Sequence, residues 1–116
     1  NGKIYEDAIA WTYYFIDIHH EKGVERRYIP EGKFPTIPFG ALIPRGLAGI
    51  LTAGRTISSD RAAFSALRVQ ASCMAMGQAV GAAAALGAAS GIPSRDIPTT
   101  KIRSLLLEHG ACVPGV

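Results

Sequence analysis

The residues best suited to chemistry lie between Gly54 and Ser72, where a turn of small and polar residues (Ser58, Ser59, Asp60) leads to Arg68 just ahead of a long Ala/Gly-rich segment. A helix starting there presents unpaired N–H groups and partial positive charge, which suits a phosphate, a carboxylate or an electron-rich ring carbonyl. Arg68 adds a full charge beside it, so the segment reads as an anion or cofactor site. The plain alternative is a strand-to-helix connection with Arg68 in a salt bridge. A second candidate is Asp17-Ile18-His19, where an extended chain carries Phe15, Asp17 and His19 on one face and Tyr14, Ile16 and Ile18 on the other. A thiol at a helix N-terminus tends toward thiolate, which gives Cys73 a redox reading. No second cysteine stands at C-x-x-C spacing and its neighbours are core-like, so a packed cysteine is the preferred reading.

The elements that must position these groups follow from periodicity and punctuation. Residues 6–10 read as a short helical turn, and residues 12–19, rich in Tyr, Phe and Ile, as an extended segment. Between residues 21 and 46 repeated Pro and Gly permit short strands such as 24–29 but no long helix. Residues 49–53 form an apolar run read as a buried strand that opens into a turn at Gly54. Residues 71–90 contain 9 Ala and 3 Gly and predict a long helix closed by Gly91 and Pro93. Its Cys73, Gly77, Gly81 and Ala85 recur every four residues, a stripe with almost no side chain that would let another backbone come close. A closing helix is expected after Thr99 or Thr100 as N-cap, with Ile102, Leu105 and Leu106 inward and Gly110 as its stop.

Composition narrows the classes. A chain of 116 residues with 48% hydrophobic and 18% charged residues supports one folded domain and argues against disorder. The net charge is +3, but the arginines are scattered and not interleaved with aromatics, so a nucleic-acid role is not expected. Cys73 and Cys112 lie outside metal-ligand spacing, so neither a metal site nor a disulfide framework is expected. The segment Gly49 to Thr56 imitates a phosphate loop, but its intervening residues have the apolar character of a strand rather than a loop. Gly77 and Gly81 form a G-x-x-x-G pair, yet Gln78 and the serines favour a closely packed soluble helix over a membrane span. The chain opens Asn1-Gly2-Lys3 without Met or a signal sequence, and its natural start is expected upstream.

Taken in order, Ile37-Pro38-Phe39, Leu42-Ile43-Pro44, Ile50-Leu51-Thr52-Ala53-Gly54-Arg55, Ser58, Arg68-Val69 and the run from Cys73 through Gly77-Gln78-Ala79-Val80-Gly81 to Ala84 resemble the C-terminal end of the FAD-dependent oxidoreductase family, relatives of the fumarate reductase flavoproteins. The resemblance spans about residues 17 to 110 and is most specific between Ala53 and Ala85. It implies an α+β fragment, the C-terminal portion of a Rossmann-like α/β FAD-binding domain. That fragment would hold a few short strands, one long Ala/Gly-rich helix and a C-terminal helix. It implies that Ala53, Gly54, Arg55 and Ser58 lie against the cofactor, with Ser72, Cys73 and Met74 opening the helix that faces the flavin. It also makes Arg68 a holder of a substrate carboxylate and His19 a proton donor or substrate ligand.

None of the 13 glycines forms G-x-G-x-x-G, so the ADP-binding half is expected in a missing N-terminal half of a bacterial-type, cytoplasmic enzyme. FAD and a small-molecule substrate are the expected partners of the full-length protein, and a fragment alone is expected to be inactive. Apolar surface meant for the missing half should be exposed or buried in a homodimer. The competing expectation is a non-catalytic interaction module that uses the small-residue helix face.

Overall fold

The computed structural model describes residues 3–115. Four short strands, β1 (Ala8–Trp11), β2 (Ile16–His20), β3 (Gly23–Arg27) and β4 (Thr36–Pro38), precede three helices, α1 (Arg61–Leu67), α2 (Gln70–Ser90) and α3 (Thr99–Glu108). The strands form two separate antiparallel pairs, β1 with β4 and β2 with β3. The architecture is a small α+β arrangement, and no parallel pair occurs among the described residues.

The central element is α2. Its sequence is dominated by alanine, the strongest helix former, and it ends where Gly91 takes φ 67° in the left-handed region. Ser72, Met76, Ala79, Ala83 and Gly87 are its buried face, and β1, α3 and the 3₁₀ turns Gly54–Thr56 and Ser94–Asp96 pack on it. The core adds Ile9, Ala10, Ile37, Phe39, Leu42, Ile57, Ile97, Ile102, Leu106 and Val113. By length and composition α2 could cross a membrane, yet one whole face of it is the packing centre of this fold. The chain ends are tied together by Arg103 of α3, whose guanidinium donates to the carbonyls of Ala8, at 2.7 Å, and Glu6.

The β2–β3 hairpin stands away from this core. All of β3 is exposed, and of β2 only Ile18 is fully buried, at 7% exposure. The radius of gyration of 14.8 Å exceeds the ~13 Å of a compact domain of about this size, as a projecting hairpin requires. Large apolar side chains including Tyr13, Tyr28, Phe34, Leu47, Ile50 and Met74 are exposed.

Several expectations are corrected. Residues 6–10 are not helical: a turn closed by the Ala8 N–H to the Tyr5 carbonyl, at 3.2 Å, feeds directly into β1. Pairing with β4 overrides the local preference there. The extended segment 12–19 becomes regular strand only from Ile16, and the strand expected at 24–29 is Gly23–Arg27. Residues 49–53 are not a buried strand. Gly49 and Ile50 are exposed, and a backbone bond from Thr52 to Leu42 at 2.8 Å replaces a ladder. The long helix begins at Gln70, and α1, a separate helix, precedes it with a break at Arg68–Val69, where Val69 is extended at ψ 152°. No threonine side chain caps α3. Pro98 takes the N-cap position and its carbonyl accepts from Lys101 and Ile102.

The small-residue stripe is also displaced. A Cβ added at Gly77 or Gly81 meets nothing within 4 Å, and both glycines are exposed. The close approach is at Gly87, where a Cβ would lie 2.8 Å from Ser94 Oγ and 2.9 Å from the Ile92 carbonyl oxygen. Gly87→Ala is therefore expected to cost about 1–3 kcal/mol by overpacking. Gly77→Ala should instead stabilise by about 0.5–1 kcal/mol through helix propensity. Urea unfolding midpoints of the two variants check the opposite signs.

Candidate functional site

The turn at residues 53–56 is shaped by Gly54, which takes φ 78°, a conformation that only glycine adopts without strain. Thr56 Oγ1 closes the turn by donating to the Ala53 carbonyl at 3.0 Å. This turn lies against the first turn of α2, and a Cβ on Gly54 would sit 3.9 Å from Cys73 Cβ and Sγ. The amides of Gln70, Ala71 and Ser72 have no carbonyl a turn behind them, and Val69 provides no side-chain cap. Gln70 and Ala71 are exposed, so donor groups and the positive end of the helix dipole face outward beside Gly54.

Arg68, the C-cap of α1, joins this turn to the hairpin. Its carbonyl accepts from Arg55 Nε at 3.1 Å and from the Cys73 thiol at 3.6 Å, while its Nη2 donates to the Asp17 carbonyl at 3.5 Å. The same Nη2 lies 3.9 Å from Asp17 Oδ2. Asp17 also pairs with His19 Nε2 at 3.3 Å and with Arg26 Nε at 3.4 Å. The expected alternation of β2 is present, since Ile18 is buried while Asp17 and His19 meet on the other face.

The residues proposed from sequence thus divide. Ala53, Gly54, Arg55, Arg68 and Cys73 converge, and Asp17 ties His19 to that group. Met74 is 68% exposed on α2 next to it. The Cys73 thiol is half-buried and donates to the Leu67 carbonyl at 3.7 Å as well as to Arg68, a structural use of the group. Ser72 is buried and turned inward, with its hydroxyl 3.0 Å from Thr12 Oγ1, away from the open surface. Ser58 is exposed and lines a cavity of about 650 Å³ between α1, the hairpin and the β1–β4 pair. That cavity and a second of about 350 Å³ beside β1 and α2 include none of Gly54, Arg55, Arg68 and Cys73. The convergence is an open surface.

Three supporting residues escaped the sequence reading. Arg61 Nη2 donates to the His19 carbonyl at 3.0 Å. Ser65 Oγ accepts the Asp17 N–H at 3.1 Å and holds β2 onto α1. Thr12 Oγ1 donates to the Ala66 carbonyl at 3.4 Å and, its one proton so used, accepts from Ser72. Each partner is more than forty residues away in sequence, so no local spacing announces it. Asp60 was legible as turn chemistry, and its carboxylate caps α1 by accepting from the Ala63 N–H at 2.7 Å.

Because Thr12 and Ser72 are both buried, Thr12→Val should destabilise by about 1–3 kcal/mol by orphaning the Ser72 hydroxyl and the Ala66 carbonyl. Adding Ser72→Ala should recover part of that loss, and a double-mutant cycle on unfolding free energies measures the coupling.

Comparison with curated proteins and with solved structures gives no match. A model of one protein family, described as FAD dependent oxidoreductase, matches residues 1–106. With Gly54, Arg55 and the start of α2 brought together within that span, the chain belongs to the FAD-dependent oxidoreductase family.

Proposed function

We propose that this chain is the C-terminal, flavin-facing part of a longer FAD-dependent oxidoreductase related to the fumarate reductase flavoproteins. It would complete a Rossmann-like FAD-binding domain and line part of the substrate pocket. The observation that carries the reading is the meeting of the Gly54 turn with the uncapped first turn of α2, joined through Arg68 to Asp17 and His19. The donor set fits the flavin end of FAD. Gly54 keeps the turn close to α2, where an added Cβ would sit 3.9 Å from Cys73, the amides of Gln70 and Ala71 have no carbonyl a turn behind them, and α2 directs positive potential toward the same place. The chain has no G-x-G-x-x-G for the ADP half, which the preceding part of the protein would supply.

Bound FAD would supply hydride or electron transfer through N5. Ala53, Gly54 and Arg55 would hold the cofactor's central portion, and the amides at the start of α2 would stabilise negative charge gained on reduction. Arg68 has free guanidinium donors on its exposed side, since its pairing with Asp17 uses Nη2 alone; these would take a substrate carboxylate. His19, exposed at 64%, would move a proton to or from that substrate. The exposed apolar side chains would be covered by the preceding half or by a second copy.

A second reading, a non-catalytic module that docks a partner on the small-residue face of α2, is favoured by the open positions Gly77, Gly81 and Ala85. Visible absorption of the full-length protein separates the two. Flavin bands are expected in the protein and should weaken or vanish in Gly54→Val. Gly110→Val, at an equally left-handed glycine (φ 78°) outside the turn, controls for backbone strain and should keep them. A full-length protein that stays colourless after addition of FAD would overturn the oxidoreductase reading in favour of the docking module.

A further inference from the structure

His19 is held at both its backbone and its ring. Its carbonyl is held by Arg61 Nη2 at 3.0 Å, and its ring Nε2 faces Asp17 Oδ2 at 3.3 Å. The ring is 64% exposed, whereas the Asp17 side chain is 12% exposed, so the inner group sets the outer one. Asp17 is in turn fixed on three sides. Its N–H donates to Ser65, its carbonyl accepts from Arg68, and its other carboxylate oxygen, Oδ1, faces Arg26 Nε at 3.4 Å.

An ionised carboxylate has only acceptors, so a nitrogen in hydrogen-bond contact with it must carry the proton. Which imidazole nitrogen works outward is decided by the bond the other one makes. We infer that Asp17 is the positioning residue of this site: it holds His19 as the Nε2–H tautomer and leaves Nδ1 as the nitrogen that exchanges a proton with substrate. In the imidazolium form the proton leaves from Nδ1 and the Nε2–H stays on Asp17; uptake of a proton reverses the step. Arg26 Nε and Arg68 Nη2 flank the same carboxylate at 3.4 and 3.9 Å and hold it in line. The inference rests on the proposed oxidoreductase reading for its catalytic consequence, but the tautomer itself is independent of any flavin.

The test is a long-range ¹⁵N–¹H correlation spectrum of the full-length protein labelled in its histidines, recorded where the rings are neutral. Resonances are assigned through His19→Gln and His109→Gln. His109, in the exposed turn after α3, serves as reference. The expected result is a greater excess of the Nε2–H tautomer at His19 than at His109. That excess should fall to the His109 ratio in Asp17→Asn, return at least in part in Asp17→Glu, and survive Arg26→Gln. Equal ratios at the two histidines of the unaltered protein, which need no variant to fold, would overturn the inference. So would an excess that persists in Asp17→Asn. Visible absorbance of the same samples keeps the two claims apart. Bound flavin with an unbiased His19 sinks the positioning role alone, whereas a biased His19 in a protein that never takes up FAD supports the positioning role and sinks the oxidoreductase reading.

Discussion

Close packing on one face of α2 is the constraint from which the rest of the structure follows. The buried positions Ser72, Met76, Ala79, Ala83 and Gly87 succeed one another at spacings of three and four, and all but Met76 are small. Backbones of the 3₁₀ turns and of β1 therefore come near the helix axis, and α3 closes over its side. At Gly87 the approach leaves no room even for a methyl group. Larger residues along this face would push the Gly54 turn and β1 outward together, separating the groups that meet at the start of α2.

The break between α1 and α2 turns this packing into a site. Had the chain continued as one helix through Arg68 and Val69, the amides of Gln70 and Ala71 would be bonded to carbonyls a turn back. Val69 is extended instead, which frees those amides beside Gly54 and leaves the Arg68 carbonyl to collect Arg55 and Cys73. The Arg68 side chain then runs the other way, to Asp17 on the hairpin. One residue thus links the Gly54 turn with the Asp17–His19 pair, using its backbone on one side and its guanidinium on the other. The hydroxyls of Thr12 and Ser65 make the arrangement rigid, each satisfying a polar group that would otherwise be buried alone.

Charge is distributed to the same end. Asp17 is the least exposed member of a group in which Arg26, Arg68 and His19 surround one carboxylate. Arg27 and His20, on the same hairpin, are occupied by Glu25 instead. Among the described residues Arg55 is in no ion pair and Arg68 only in the 3.9 Å contact with Asp17, and both adjoin the helix end whose dipole has the same sign. An anionic group entering there meets both without having to break the Glu25 pairs.

Much of this was legible in the amino-acid order because it depends on local properties. Alanine content announced α2, Gly91 and Gly110 announced helix ends, Ser58 to Asp60 announced a turn, and alternation placed Asp17 with His19. The order of short motifs from Ile37 to Ala84 identified the family, whose model covers residues 1–106. What only the tertiary structure decided involves partners distant along the chain. Residues 8–11 are strand because Thr36–Pro38 pair with them, and residues 49–53 are not because no neighbouring strand among the described residues takes up their backbone groups. The face of α2 that lies inward was likewise invisible. An alanine-rich helix has almost the same hydrophobicity all round, so the choice between the Cys73–Gly77–Gly81 side and the Met76–Ala79–Ala83 side is made by what packs against it.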